Sequence, residues 1–209
     1  IFSNPHNKKL SDFLDKTLNN YYDKVVTKNL SINLNKDSIE LINANYKKAV
    51  SISVDFLDKK MNSKIKLRLS GKKDIFSKLF PIKNSTLLDC TAGYGRDSYI
   101  LRSMGFNVTM IENSPIMSLL LNDALKKLKL LNFKMYHGNS YDYLSHSEKY
   151  YDYIYIDFMF NKLKKNSLSS KNNETLKLIS FQENDKNNII RLAIKKSNSR
   201  VVVKEPKNS

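Results

Sequence analysis

The feature that most constrains the fold is the stretch from Leu87 to Asp97, which reads LLDCTAGYGRD. An apolar run ends in an acid and is followed by a small-residue turn that holds Gly93 and Gly95. A strand, a glycine turn and a new helix form the first unit of a Rossmann-like nucleotide-binding fold. The glycines permit backbone angles that side chains forbid, and they let the main chain approach a ligand. We expect the helix to begin near Asp97 and to direct its positive end toward this site.

The spacing of the small residues argues against a dinucleotide ligand. A dinucleotide fingerprint has a third glycine three residues after the second, and this chain has Ser98 at that position. The apolar segment 106–111 ends at Glu112, about twenty residues beyond the turn, where such folds place an acid that accepts hydrogen bonds from ribose hydroxyls. These residues predict an adenosine-type ligand with a free ribose diol.

After the turn, the chain alternates between apolar strands and helices. Ser114 and Pro115 form an N-cap and first-turn pair that opens a long helix, and Gly105 is the residue expected to end the helix before it. Strands are predicted at 106–111, 133–136, 153–156 and 200–203, and helices at 74–79, 97–104, 114–131, 174–181 and 185–196. This alternation predicts an α/β fold with a mainly parallel, doubly wound sheet, whose ligand lies at the carboxyl ends of the strands.

The part of the chain before this unit is less regular. Residues 1 to about 45 show mixed helical periodicity, whereas strict apolar alternation from Val50 to Phe56 predicts a half-buried strand. We therefore expect residues 1–73 to form a small N-terminal α+β appendage with a basic segment. Residues 74–209 are expected to form the Rossmann-like domain.

Composition limits the partners and excludes several classes of protein. The net charge of +16 indicates a polyanion such as RNA, although lysine and asparagine are abundant everywhere, which also fits a compositional bias without a binding role. Basic residues are concentrated in segments 59–73 and 162–171. No apolar run approaches the roughly eighteen residues of a membrane span, and no signal peptide is visible, so we expect a cytoplasmic protein without a membrane partner. One cysteine and three histidines predict neither an internal disulfide nor a metal site.

Four motifs, in this order, resemble those of the small-subunit ribosomal RNA methyltransferase J family. They are DCTAGYGRD at 89–97, MIENSP at 110–115, YIDFMF at 155–160 and RVVVKEP at 200–206. The resemblance implies a Rossmann-like, class I S-adenosylmethionine-dependent methyltransferase that modifies the exocyclic N2 of a guanine in 16S rRNA. Its partner would be 16S rRNA or the 30S subunit, and we expect a monomer. Sheets of this class usually add an antiparallel C-terminal hairpin, which we expect this chain to lack.

The resemblance also implies a set of site residues, carried over position by position. Beside Gly93 and Gly95 of the turn, the cofactor contacts that it implies are Arg96, Asp97, Glu112, Asn113, Asn139, Ser140 and Asp157. The catalytic pair would be Asp157 and Phe160: the carboxylate accepts N–H bonds from the guanine amine, and the ring stacks on a base taken out of its helix. Positioning matters most in such a reaction, because the sulfonium methyl is already activated.

The chain departs from the family pattern at several of these positions. The family motif around the catalytic acid reads DPMFP, whereas Phe158 and Asn161 replace both prolines here. Asn113 stands where an arginine is common, and Asn139 stands where a serine is common. Because proline fixes a backbone angle, the loop after Asp157 is expected to be less rigid than in the family.

Two other charged residues flank predicted strands. We expect Asp89 to shape the glycine turn rather than to contact the ligand. Lys204 follows the last predicted strand, where it either meets a phosphate or extends its aliphatic stem along the surface.

Functions of two other classes stay open at this stage. A nicotinamide oxidoreductase would use the same fold, but the third glycine and a Tyr-x-x-x-Lys pair are both missing. A catalytically impaired RNA-binding or ribosome-assembly protein that retains the methyltransferase fold would fit the replaced prolines.

Overall fold

The computed structural model describes residues 29–35, 38–70, 75–128, 133–158, 170–180 and 185–205. In chain order, the strands are β1 (Leu30–Leu34), β2 (Ile39–Asn43), β3 (Val50–Ile52), β4 (Thr86–Asp89), β5 (Asn107–Glu112), β6 (Lys134–His137), β7 (Tyr151–Asp157) and β8 (Ser197–Lys204). The helices are α1 (Lys59–Leu69), α2 (Ile75–Leu79), α3 (Arg96–Ser103), α4 (Pro115–Lys127), α5 (Ser140–His146), α6 (Lys171–Ile179) and α7 (Lys186–Lys196).

Five strands form a sheet in the order β6-β5-β4-β7-β8, and every neighbouring pair is parallel. From β4 the chain moves outward to β5 and β6, and it then returns to the other side of β4 to form β7 and β8. The strand order therefore reverses at β4, and an open α/β sheet binds its ligand at such a switch point.

Side chains of β7 alternate between two hydrophobic clusters, one on each face of the sheet. Tyr153 and Tyr155 lie in the larger cluster, which also contains residues of α3 and α4. Ile154 and Ile156 lie in the other cluster, which also contains residues of α5 and α7. Successive strand residues point to opposite faces, so helices cover the parallel sheet on both sides. The prediction of a parallel, doubly wound sheet is confirmed.

Local signals set the helix boundaries around the first two parallel strands. Ser114 caps α4 by accepting a hydrogen bond from the N–H of Met117 at 3.2 Å, and Pro115 is the first helical residue. Gly105 follows α3 with a φ of 102°, a conformation that ends a helix and favours glycine. Asn139 caps α5, a short helix that the sequence analysis missed because it has only seven residues.

The N-terminal part corrects one expectation. Residues 30–34 and 39–43 form strands β1 and β2 of an antiparallel three-stranded sheet with β3, although helical periodicity was expected up to about 45. The segment LSINL at 30–34 alternates apolar and polar residues, which is the period of a strand, and Leu30, Ile32 and Leu41 are buried. Residues 1–28 lie outside the described part. The predicted strand at 50–56 is hydrogen-bonded only as far as Ile52.

The small sheet and the parallel sheet share one hydrophobic core. Ile32, Ile52 and Phe56 belong to the same cluster of buried residues as Leu87 and Leu121. The N–H of Ile39 also donates to Asp123 Oδ2 of α4 at 3.2 Å. The N-terminal sheet is thereby held beside α4, next to the glycine turn that follows β4. Within the described ranges, no helix has the length and apolar character needed to cross a membrane.

Candidate active site

The turn after β4 adopts the backbone conformation that its glycines predict. Gly93 and Gly95 have φ values of 52° and 66°, in the left-handed region that favours glycine. At Gly95, a β-carbon would lie 2.7 Å from Leu121 Cδ2 and 3.0 Å from Phe56 Cζ, inside van der Waals contact. Gly95 is therefore required for packing against α4 and the N-terminal segment, in addition to the turn itself. It also precedes α3 without a side chain that could cap the helix.

Glu112, at the end of β5, joins this turn to the start of α4. Its Oε2 accepts from the N–H of Gly93 at 2.7 Å, and its Oε1 accepts from the N–H of Ser114 at 2.7 Å. The residue is partly exposed, so a ligand can approach its side chain. Asn113, also partly exposed, lies between Glu112 and the capping serine.

Asp89, the last residue of β4, is a buried structural acid. It is 1% exposed, and it accepts from Ser98 Oγ at 2.6 Å and from the N–H of Thr91 at 3.0 Å. Burial is the main cause that raises the pKa of Asp89 to about 7. The charges of Asp97 and Asp157 act in the same direction, and the two hydrogen bonds oppose them. This geometry agrees with the expectation that Asp89 shapes the turn.

Four side chains form what we call the acid–lysine cluster: Asp97, Tyr155, Asp157 and Lys204. Tyr155 donates to Asp97 Oδ2 at 2.8 Å, and the ammonium of Lys204 lies 2.5 Å from Asp157 Oδ2 and 3.5 Å from Asp97 Oδ2. The N–H of Asp157 donates to Thr91 Oγ1 at 2.6 Å, which attaches the end of β7 to the glycine turn. Burial, together with the neighbouring acids, raises the pKa of Tyr155, so its hydroxyl stays protonated as a donor.

The loop after β6 reaches the same edge of the sheet. Ser140 is 1% exposed, and its hydroxyl donates to the carbonyl oxygen of Cys90, directly after β4. The side-chain oxygen of Asn139 accepts from the N–H groups of Tyr141 at 2.7 Å and Asp142 at 3.4 Å. Both side chains thus have structural partners, and Ser140 connects two of the loops at this edge.

Arg96 lies at the outer side of the turn. Its exposed guanidinium is centred 4.8 Å from the ring centroid of Tyr94. Both residues line a cavity of about 270 Å³ together with residues in the segment 53–58. The other predicted residues of the region, Phe160 and most of the basic segment 162–171, lie outside the described residues.

The structure thus brings Gly93, Glu112, Asp97 and Asp157 together at the carboxyl ends of β4, β5 and β7. The contacts of Tyr155 and Lys204 with the two acids were not predicted from the sequence. One signal was available, because Asp157 and Lys204 each end a predicted apolar strand. In the sheet they are register partners on neighbouring strands. Within the described ranges, no group of three potential ligand side chains is arranged to hold a metal ion.

The five-stranded sheet is parallel, the glycine turn lies at its switch point, and Glu112 ends the next strand. This combination defines the class of Rossmann-like nucleotide-binding proteins. Comparison with known proteins narrows this class. Residues 21–209 match the family model described as "Putative SAM-dependent methyltransferase", and the chain belongs to this family. It is therefore an S-adenosylmethionine-dependent methyltransferase.

Similar proteins agree with this assignment. The chain is 33% identical over 180 residues, 82% of its length and 70% of the relative's, to "Ribosomal RNA small subunit methyltransferase J" of Coxiella burnetii. It is 30% identical, over 99% of its length and 86% of the relative's, to the protein of the same name from Buchnera aphidicola subsp. Schizaphis graminum. A crystal structure of an SAM-dependent methyltransferase from Neisseria gonorrhoeae shares the fold, with a TM-score of 0.61, 22% identity and coverage of 85% and 72% of the two chains.

The residues at the strand ends fit S-adenosylmethionine. Glu112 presents a partly exposed carboxylate at the position where a ribose diol is bound in such folds. Gly93 and Gly95 have no side chains that would block a ligand from the main chain of the turn, and no side chain caps the N–H groups of the first turn of α3. The acids nearby suit a ligand that carries a sulfonium and an ammonium group.

Proposed function

We propose that the chain methylates the exocyclic N2 amine of a guanine in small-subunit ribosomal RNA. The observation that carries this proposal is the likeness to relatives whose name specifies ribosomal RNA of the small subunit, at 33% identity over 82% of the chain. The geometry of the strand ends supports it, because a partly exposed acid, Asp157, stands beside the residues that suit the methyl donor.

In this proposal, the loops after β4, β5 and β6 hold the cofactor. Glu112 accepts hydrogen bonds from the ribose hydroxyls, while the turn at Gly93 and Gly95 provides close main-chain contact. Arg96, Asp97, Asn113, Asn139, Ser140 and Asp157 complete the set of proposed cofactor contacts. The hydroxyl of Ser140 already donates to Cys90, so its contribution would come from the main-chain N–H at the start of α5.

Asp157 is the proposed catalytic acceptor. The bound cofactor supplies an activated methyl group, so the protein has to orient the amine and exclude water. One carboxylate oxygen of Asp157 accepts an N–H of the guanine amine, which directs its nitrogen toward the methyl group. The hydrogen bond from the N–H of Asp157 to Thr91 Oγ1 fixes the strand end during this step. Phe160 is the proposed stacking partner for the base.

The segment after β7 keeps an anchor where the family has proline. The side chain of Phe158 is 7% exposed and belongs to the hydrophobic cluster on the face of α5 and α7. The ammonium of Lys186 lies 5.2 Å from the centroid of its ring. Burial of such a side chain stabilises by roughly 1.5–3 kcal/mol. This burial holds the first residue after β7, whereas Asn161, at the second replaced proline, lies outside the described residues.

Two basic segments, 59–73 and 162–171, are the proposed RNA contacts. Helix α1 covers most of the first segment: its Lys59 and Lys66 are exposed, while Ile65 is 8% exposed and packs into the core. Asp58, directly before α1, lines the same cavity as Arg96 of the glycine turn. The start of this basic helix therefore lies beside the proposed cofactor site, which suits a substrate much larger than one base.

The proposal extends to the organisation of the protein. Residues 1–73 would be the RNA-contacting appendage and residues 74–209 the catalytic domain. The protein would act as a cytoplasmic monomer on 16S rRNA or the 30S subunit. Size-exclusion chromatography coupled to light scattering tests the monomer directly, and a dimer mass would contradict it.

Mass-spectrometric mapping of 16S rRNA from cells with and without the gene tests the proposed reaction. We expect one N2-methylguanine to disappear in the deletion strain and to return when the parent gene is supplied on a plasmid. Complementation with the Asp157→Asn variant should leave that guanine unmethylated. An unchanged methylation map would contradict the proposal, and a ribosome-assembly defect with an unchanged map would favour the RNA-binding alternative.

A further inference from the structure

Lys204 connects two acids at the edge of the proposed active site. It is the last residue of β8 and pairs in register with Asp157, the last residue of β7. Its ammonium lies 2.5 Å from Asp157 Oδ2 and 3.5 Å from Oδ2 of Asp97, which precedes it by 107 residues in the chain. Two carboxylates on separate elements thus share one cation.

Electrostatics explains why a cation is needed at this position. Asp97 and Asp157 lie close together, and their charges also raise the pKa of the buried Asp89. Within the described part of the chain, Lys204 is the cation that forms a salt bridge with either of the two outer acids. Burial alone would lower the pKa of Lys204, but the bond to Asp157 and the charges of both acids outweigh burial and raise that pKa. Lys204 therefore remains charged.

The contact with Lys204 involves only one of the two oxygens of the Asp157 carboxylate. Oδ2 accepts from Lys204, whereas the described residues provide no hydrogen-bond donor to Oδ1. An ammonium at 2.5 Å restricts rotation of the carboxylate. Asp97 is in turn held by the hydroxyl of Tyr155 at 2.8 Å, so the second acceptor of Lys204 is itself fixed.

We propose that Lys204 is a positioning residue, which holds Asp157 through Oδ2 so that Oδ1 accepts the N–H of the target amine. This inference rests on the proposed function of Asp157. The positive charge of Lys204 also offsets the two acids, which would otherwise attract the sulfonium of a bound cofactor more strongly. Without that charge, the site would favour the cationic cofactor more strongly over its neutral product, S-adenosylhomocysteine.

The test compares Lys204→Met, which keeps the aliphatic stem, with Lys204→Arg, which keeps the charge and can bond to a carboxylate. Lys134→Met is the matched control, because it removes one exposed lysine at the first residue of β6, the opposite edge of the sheet. For each variant, calorimetry gives the dissociation constants of S-adenosylmethionine and S-adenosylhomocysteine. Single-turnover methylation of 30S subunits gives the rate of the chemical step.

In Lys204→Met, we expect the affinity for S-adenosylmethionine relative to S-adenosylhomocysteine to increase by about threefold or more. The rate of methyl transfer should fall by about tenfold or more. Lys204→Arg should stay near the parent in both measurements, as should Lys134→Met. This combination distinguishes charge and positioning from a general loss of structure, which would weaken both ligands together.

An unchanged affinity ratio in Lys204→Met would contradict the claim that Lys204 offsets the charge of the two acids. A parent-like transfer rate would contradict the claim that Lys204 positions Asp157. Failure of the proposed function looks different. A parent protein that binds both ligands but methylates no RNA would contradict the proposed reaction, and the positioning task that depends on it would fall with it. The affinity ratio would still decide whether Lys204 balances the charge of the cofactor site.

Discussion

Replacement of Glu112 by alanine should weaken cofactor binding more than it weakens the fold. In the proposed complex, the carboxylate accepts from the ribose diol, and a hydrogen bond to a charged group is worth about 1.5–3 kcal/mol. Its loss corresponds to a decrease in affinity of about tenfold to a hundredfold. Glu112 also accepts from the N–H groups of Gly93 and Ser114, each at 2.7 Å. Because the site is partly exposed, water can replace these two bonds, and we expect a loss of stability of about 1–2 kcal/mol.

The assay separates the ribose contact from the order of the loop. Calorimetry would measure the affinity of the parent and of Glu112→Ala for S-adenosylhomocysteine and for its analogue without the ribose 2′-hydroxyl. If Glu112 binds the ribose, removal of the hydroxyl weakens binding to the parent but has little effect on the variant, as in a double-mutant cycle. Glu148→Ala, an exposed acid just before β7, is the matched control.

Either of two results would contradict a ribose contact of Glu112. One is that Glu112→Ala binds S-adenosylhomocysteine within about twofold of the parent affinity, because the loss of a charge-assisted hydrogen bond would change the affinity by more than that. The other is an equal loss in parent and variant when the ribose hydroxyl is removed, because Glu112 would then act only on the loop. Denaturant unfolding without ligand shows whether the variant retains its fold.

Three further predictions concern the turn and the charged surface. The pKa of Asp89 is about 7 in the folded protein, whereas its ordinary value is 3.8. The native state therefore binds the carboxyl proton of Asp89 more tightly than the unfolded state does. The free energy of unfolding should fall as pH rises from about 4 to 7, by up to roughly 4 kcal/mol. Asp89→Asn should remove this part of the pH dependence in chemical denaturation. An unchanged pH profile in the variant would contradict the raised pKa of Asp89. Gly95→Ala should destabilise by about 1–3 kcal/mol, since its β-carbon would lie 2.7 Å from Leu121, whereas a parent-like melting temperature would contradict that packing. Charge removal at Lys59 and Lys66 should reduce the slope of log K against log salt for RNA binding by about 0.7–0.9 per lost phosphate contact, and an unchanged slope would mean that these lysines reflect compositional bias.

Much of the fold was predictable because each parallel strand is a short apolar run with a clear end. The strand pattern predicted which acids reach the ligand edge, since the carboxyl ends of parallel strands meet there. Asp89, Glu112 and Asp157 therefore lie where the sequence indicated. The cap at Ser114 was predictable for a similar reason, because it depends only on residues within one helical turn.

Features that depend on long-range pairing could not be predicted in this way. Strand β2 pairs antiparallel with β1 on one side and with β3 on the other, and these partners are set by the tertiary fold. Gly95 was interpreted as a ligand-approach glycine, but its close neighbours Phe56 and Leu121 come from distant parts of the chain. The bond between Lys204 and Asp157 likewise depends on the register of β7 and β8, which neither strand encodes alone.

Methyl transfer to 30S subunits in vitro tests the central claim most directly. The assay incubates 30S subunits from the deletion strain with the protein and labelled S-adenosylmethionine, and mass spectrometry then identifies the modified nucleotide. Asp142→Asn, which alters an exposed acid on α5, is the matched control for Asp157→Asn. We expect the parent and Asp142→Asn to produce one N2-methylguanine in 16S rRNA. Asp157→Asn should react more than about tenfold more slowly at saturating cofactor and RNA, with both affinities measured alongside because Asp157 is also a proposed cofactor contact. An Asp157→Asn variant with the parent rate, or a parent protein that binds the cofactor and leaves 16S rRNA unmodified, would contradict the claim.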